Sequence, residues 1–140
     1  MQLATYLFFK NDAAQAFDFY ARCLGGTIEM KVTLGEMPGA ENVPAETRDL
    51  IAHVRLAAGG AVLMGSDWCG PTAEPYPGIH GNAVSLTVDT PAEAERVFKA
   101  LAEGGQVTMP MAETSWALRF GMATDRFGAH WMVNCNRPAA

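Results

Sequence analysis

Two rhythms of apolar residues run along this chain, and both occur twice in the same order. Leu3 to Phe9 is a short apolar run bounded by Asn11-Asp12 and reads as a buried strand. From Asp12 the period lengthens. Ala16, Phe19, Tyr20 and Cys23 recur at the i, i+3, i+4, i+7 spacing of one helix face, with Asp12 and Gln15 at the capping positions and Gly25-Gly26 as the stop. A strand begins at Thr27 and runs to Leu34, and Gly35 to Arg48 is a loop containing Pro and Gly. Leu50 to Ala57 alternates, with Leu50, Ala52, Val54 and Leu56 on one side and Ile51, His53 and Arg55 on the other. Gly59-Gly60 turns the chain into a return strand, Ala61 to Asp67.

After a proline-rich link from Trp68 to Gly81 the order repeats. Asn82 to Val88 is a strand, and Thr90-Pro91-Ala92-Glu93 opens a second helix as a capping box with Pro at its first position. Ala94, Val97, Phe98 and Leu101 form its apolar face, Gly104-Gly105 closes it, and the cap-to-glycine spacing is one residue longer than in the first helix. Strands follow at Gln106–Ala112, Trp116–Ala123 and His130–Cys135, the last two joined by a turn at Asp125–Gly128. Such self-similarity marks a duplicated supersecondary unit. The expectation is a single α+β domain of two βαβββ modules, residues 1–67 and 82–136, with a link at 68–81 and a frayed tail at 137–140. The modules are expected to form one curved mixed sheet with both helices on its outside.

The pleat then sorts the strand residues onto two faces. Leu50, Ala52, Val54, Leu56, Val84, Leu86, Val88, Trp131, Val133 and Cys135 are uniformly apolar and suit a face covered by helices. The opposite face is expected to carry Thr5, Leu7, Phe9, His53, Arg55, Val62, Met64, Ser66, Ala83, Ser85, Thr87, His130, Met132 and Asn134. Apolar bodies with sparse polar tips suit a pocket for an organic ligand, and equally a half-solvated antiparallel sheet.

Composition narrows the class. At 140 residues, 49% apolar and 18% charged, the chain is ordinary globular material. A net charge of −5 without a Lys/Arg cluster argues against nucleic acid as a partner. Cys23, Cys69 and Cys135 are an odd number without metal-type spacing, which points to a reducing compartment. There is neither a membrane-length apolar run nor a basic leader, so a cytoplasmic location is expected.

Tyr6-Leu7-Phe8-Phe9, Ala16-Phe17-Asp18-Phe19-Tyr20, Leu24-Gly25-Gly26, Ile51-Ala52-His53, the run from Val62 to Asp67, Ala102 to Gly105, Met109-Pro110 and Trp116 through Asn134 carry a resemblance over nearly the whole length. The chain resembles the vicinal-oxygen-chelate superfamily, which includes glyoxalase I, extradiol dioxygenases and the bleomycin and fosfomycin resistance proteins. Its wording is most similar to the PhnB-like branch, sometimes labelled after demethylubiquinone methyltransferases. The resemblance implies a cavity in which metal-using members place His, Gln or Glu ligands to polarise a substrate oxygen. Carried over residue by residue, the four ligand places fall at or beside Thr5, Met64, Ala83 and Met132. Two thioethers, a methyl and a hydroxyl do not make a hard-metal site, so no metal and no cofactor are expected. A methyltransferase reading finds no Gly-rich strand–turn–helix motif.

The remaining candidates carry two readings each. His53 and His130 are either acid–base or ligand-binding groups or strand histidines bonded to neighbours. Asp67 either orients a ligand or starts a turn. Arg119 either clamps an anion or pairs with an acid, and Trp116 either stacks on a ligand ring or plugs the core. The expected ligand-binding set is Thr5, Leu7, Phe9, His53, Met64, Ser66, Ser85, Trp116, Arg119, His130, Met132 and Asn134, with His53 and His130 as the catalytic candidates. The leading expectation is a metal-free protein that binds a small organic molecule. A lyase, isomerase or oxygenase using non-standard residues or metal, and a structural module whose cavity is filled by Met64, Met132, Phe9 and Phe120, stand beside it. A homodimer is expected, because open sheet edges need covering.

Overall fold

Gly-Gly closes both helices, and each glycine of a pair does a separate job. In the computed structural model, which describes residues 1–69 and 74–139, Gly25 has φ +64° and Gly104 φ +76°, the left-handed conformation that lets a chain leave a helix. The second glycine of each pair lies against a neighbouring strand. A Cβ at Gly26 would sit 2.7 Å from the carbonyl oxygen of Ala57, and one at Gly105 would sit 2.2 Å from that of Thr124. The duplicated Gly-Gly thus both ends the helix and seats the next strand. Residues 70–73 of the expected link, and Ala140 of the expected tail, lie outside the described residues.

The chain divides into two units, Met1–Gly78 and Ile79–Ala140. The first contains β1 (Thr5–Phe9), α1 (Ala13–Leu24), β2 (Thr27–Thr33), β3 (Ile51–Ala58) and β4 (Ala61–Asp67). Its sheet order is β1-β4-β3-β2, with β1 parallel to β4 and the other pairs antiparallel. The second contains β5 (Val84–Val88), α2 (Pro91–Ala102), β6 (Gln106–Ala112), β7 (Ala117–Thr124) and β8 (His130–Asn136), in the matching order β5-β8-β7-β6. The fold is therefore the expected α+β arrangement of two βαβββ modules. Its strands pair as two four-stranded sheets rather than one, because β1 closes on β4 and β5 on β8 within their own modules. No helix among the described residues is long and apolar enough to cross a membrane.

Each helix covers one face of its own sheet. In the first unit Phe9 meets Phe17 and Tyr20 of α1, with ring centroids 6.0 and 6.3 Å apart, and all three are fully buried. A Cβ at Gly65 would lie 2.7 Å from the Phe17 ring, so glycine in β4 lets that ring settle on the sheet. In the second unit Ala94, Val97, Phe98 and Leu101 of α2 are buried, as are Trp131, Val133 and Cys135 of β8. Burying a side chain of Val, Leu or Phe size contributes roughly 1.5–3 kcal/mol, so these faces dominate the stability of both units.

The two helix starts differ. Thr90 Oγ1 accepts from Glu93 N at 3.1 Å, as its sequence predicts. Asp12 makes no side-chain cap bond to α1. Its place is taken by Asp67 at the end of β4, whose Oδ1 accepts from Ala13 N at 2.9 Å while Oδ2 accepts from Ile51 N at 2.7 Å. Asp67 is 3% exposed and ties α1, β3 and β4 together, which corrects its reading as a turn residue. The Gly35–Arg48 loop is built from short 3-10 turns at Leu34–Glu36, Ala40–Asn42 and Ala45–Thr47. Arg48 holds them by donating from Nη1 to Ala40 O at 2.8 Å and from Nη2 to Gly35 O at 3.2 Å.

Candidate functional site

With one face of each sheet covered by its helix, chemistry belongs to the other. In the first unit strand pairing fixes which residues share that open face. Tyr6 lies opposite Met64, Met64 opposite Arg55, and Arg55 opposite Met30, forming one row across all four strands. Phe8 and Ser66 are a second facing pair, and His53 lies two residues from Arg55 on β3 and opposite Val32.

This register corrects the expected parity of β1. Leu7 and Phe9, assigned to the ligand face, belong to the core at 5% and 0% exposure, and Thr5 shares their parity. The alternating residues Tyr6 and Phe8 face outward instead. Every residue of TYLFF except Thr5 has an apolar body, so alternation within β1 alone does not choose a face. The parallel register with Met64 does. A second correction falls on β3. Val32 pairs with His53 but Thr33 with Ile51, so Ala52 is an extra residue in a bulge. The bulge brings Ile51, expected beside His53, into the core at 2% exposure with Val54 and Leu56.

The open face of the first unit joins rings to polar tips. The Tyr6 hydroxyl lies 3.1 Å from His53 Nδ1, and the two rings stack with centroids 5.6 Å apart. Phe8 is 43% exposed and packs against Tyr6 at 5.1 Å and edge-on against Trp68 at 5.3 Å. Tyr76 continues the series beside Trp68 and donates its hydroxyl to Phe8 O at 2.7 Å. Burial, with the Asp12 carboxylate as a lesser cause, raises the Tyr76 pKa and keeps that hydroxyl a donor. Arg55 donates from Nε to Glu29 Oε2 at 2.9 Å and turns Nη1 toward the Met64 sulfur at 3.9 Å. Ser66 is buried and donates to Asp67 O at 3.1 Å. Cys69, beside this region, has its thiol pKa raised by burial and secondarily by Asp67, so it is a poor nucleophile at neutral pH.

In the second unit Ser85, Met132 and Met122 form one row, and Thr87, Asn134 and Phe120 another. His130 pairs with Thr124 across β7 and β8, and Thr124 Oγ1 lies 2.9 Å from His130 Nδ1. His130 Nε2 lies 2.8 Å from Ile79 O, a pure acceptor, so neutral His130 donates from Nε2 and accepts at Nδ1 from Thr124. Both ring nitrogens thus have protein partners, as a strand histidine bonded to its neighbours does. Asn134 Nδ2 donates to Asn136 Oδ1 at 2.7 Å, while its own Oδ1 is buried without a partner among the described residues. Trp116 is 57% exposed and packs edge-on against Phe120 at 5.3 Å. Arg119 belongs to the helix-covered side. It pairs with Cys135 in the ladder, forms an ion pair with Glu95 of α2 and donates to Met111 O at 3.4 Å. Its side follows from regular pairing with β8, where Arg119 and Gly121 lie opposite the core residues Cys135 and Val133. Arg119 is therefore a strut between sheet and helix, not a ligand clamp. Ala83 precedes β5 and is exposed.

These positions do not fit the metal that the fold is known for. Met64 and Met132 present thioethers on their open faces, Ala83 offers no donor, and Thr5 lies on the parity of the core residues Leu7 and Phe9. Among the described residues no group of three or more His, Cys, Asp or Glu side chains is placed to hold a metal ion.

Comparison with known proteins agrees with the architecture. The sequence profile of the Glyoxalase/Bleomycin resistance protein/Dioxygenase superfamily matches residues 2–133, and the chain belongs to that superfamily. Protein YjdN of Escherichia coli (strain K12) is 35% identical over 144 residues, spanning 96% of this chain and 95% of its own. The crystal structure of protein PA1353 from Pseudomonas aeruginosa shares 48% identity over 99% of both chains with a TM-score of 0.88. A Bacillus cereus structure described as a putative 3-demethylubiquinone-9 3-methyltransferase, PhnB protein, covers 96% of this chain and 99% of its own at 20% identity and TM-score 0.78, a likeness of fold. The branch to which the sequence pointed is thus represented among the structural relatives.

Proposed function

We propose that this protein binds a small organic molecule on the open sheet face of its first unit, through rings and directional hydrogen bonds rather than a metal. The observation that carries this reading is His53. Its Nδ1 is fixed by Tyr6, while Nε2 has no hydrogen-bond partner among the described residues, on a face where Tyr6, Phe8 and Met64 supply apolar area. An apolar surface with one oriented polar tip is the usual composition of a small-molecule site. Aromatic rings add ring-on-ring contact worth about 0.5–1.5 kcal/mol beyond area burial.

The test is a titration of the full chain with a library of neutral aromatic fragments, followed by NMR. Bound fragments are expected to shift the ring signals of Tyr6, Phe8 and His53, and Phe8→Ala is expected to weaken binding roughly fivefold or more. A library in which no compound moves those signals, or affinities untouched by Phe8→Ala, would sink the reading.

A further inference from the structure

The same face carries a cation whose hydrogen-bonding capacity is mostly unspent. A guanidinium has five N–H donors. On Arg55 only Nε meets a strong acceptor among the described residues, the Glu29 carboxylate at 2.9 Å. Nη1 is turned toward a thioether at 3.9 Å, a weak acceptor, and Nη2 has no protein partner among the described residues. Its side chain is only 29% exposed, so water reaches it less freely than a surface arginine. His53 lies two residues along the same strand and on the same face, roughly 6.6 Å away between Cα atoms. When Tyr6 donates to Nδ1, Nε2 of the neutral ring carries the proton and is a donor as well.

We infer that the ligand of this face is an organic monocarboxylate, its carboxylate held by Arg55 and His53 Nε2–H and its apolar body laid against Tyr6 and Phe8. The inference rests on the reading of this face as a ligand site and adds the chemical class. Three features select that class. The planar fork of a guanidinium matches the planar carboxylate and receives it with two parallel bonds. Exchanging a thioether for a carboxylate oxygen at Nη1 replaces a poor acceptor with a charged one. Glu29, paired to Arg55, offsets much of the cation's field, so the site suits a single negative charge better than a doubly charged group.

Matched probes test it. 2-Naphthoate and 2-naphthamide have the same rings and nearly the same shape, and differ in charge. Calorimetric titration of the full chain is expected to show the acid binding roughly 10- to 100-fold tighter than the amide. Arg55→Gln is expected to bring the two affinities together, and Arg55→Lys to keep part of the preference. In the naphthoate complex, ¹⁵N shifts of His53 are expected to show a protonated Nε2. This readout on the unaltered protein decides the matter if the Arg55 variants fail to fold. Equal affinities for acid and amide, an undiminished preference in a folded Arg55→Gln variant, an unprotonated Nε2 in the complex, or tighter binding of 2-naphthyl phosphate would each overturn the carboxylate assignment. Equal binding of acid and amide would leave the ligand face standing. Failure of both compounds together with the neutral aromatic library would remove both conclusions.

Discussion

His53 in the first unit and His130 in the second sit on corresponding faces of equivalent sheets, yet they do opposite work. His130 is closed off, with Thr124 at one nitrogen and the Ile79 carbonyl at the other. His53 is fixed at one nitrogen by Tyr6 and has no protein partner for the other among the described residues. The surroundings differ in the same sense. The first unit's open face sets the rings of Tyr6 and Phe8 beside the cation Arg55, and the second sets Met122, Met132 and the Asn134 amide beside Phe120 and Trp116. The helix-covered faces, in contrast, follow one scheme: small and aromatic residues on the helix, apolar residues on the strands, and Gly-Gly at the helix exit. Duplication therefore preserved what folds the unit and left free the face that packing does not specify.

The strongest test of this comparison lies in the buried carboxylates, for each unit has one in a different place. Asp125 serves Phe127 N and Ala129 N through Oδ1 and Trp131 Nε1 through Oδ2, fixing the β7–β8 turn and seating the largest core side chain of its unit. Asp67 serves Ala13 N and Ile51 N. Leaving a buried donor without an acceptor costs roughly 1–3 kcal/mol. Asp125→Ala strands three donors and is expected to lower the unfolding free energy by about 4–6 kcal/mol, against about 3–5 for Asp67→Ala. Urea unfolding followed by far-UV circular dichroism measures both. Losses under about 1 kcal/mol in either variant would show that these carboxylates are not the ties described.

Next in size is the contrast between adjacent residues of β1. Phe9 is fully buried against α1 and Phe8 is 43% exposed on the open face. Phe9→Ala is expected to cost about 3–4 kcal/mol in urea unfolding, and Phe8→Ala no more than about 1. The reverse order would restore the parity first expected of β1, and would move the proposed ligand face with it.

That contrast shows where the sequence was legible. Both helices, their apolar faces, the Gly-Gly exits and the βαβββ order follow from period, caps and turn residues, because those features are local. The second unit's faces were legible too, since β8 alternates His130, Met132 and Asn134 against Trp131, Val133 and Cys135. What was not legible depended on partners far along the chain. The side of Tyr6 is set by its register with Met64, the side of Ile51 by the extra residue Ala52 opposite Val32 and Thr33, and the side of Arg119 by its pairing with Cys135 of β8. A one-residue slip exchanges the faces of a strand, so period-two patterns lose their meaning at each bulge. Tyr6 was left off the open face for this reason, whereas Arg55 was placed on it without a partner to mark it out. Pairing β1 with the Val62–Ser66 alternation would have found Tyr6.

The smallest expected effect separates the two helix starts. α1 has no acidic residue in its first turn and takes its acceptor from Asp67, whereas α2 has Glu93 there, bonded to Arg96 at 2.5 Å. The hydrogen bond from Arg96 holds the Glu93 carboxyl below the usual glutamate range against an opposing effect of desolvation, with the arginine's charge a lesser aid. A pKa lowered by folding contributes stability above the unfolded-state value, and that contribution fades as pH falls through the lower folded-state value. The carboxylate also sits near the positive end of the helix dipole, where salt screens it. Glu93→Gln is therefore expected to lower the urea midpoint slightly at neutral pH and low salt. The difference from the unaltered protein should shrink both in molar NaCl and on acidification below the ordinary glutamate range. A gap that persists in acid would assign the effect to packing of the longer side chain, and the two helix starts would then differ in geometry alone.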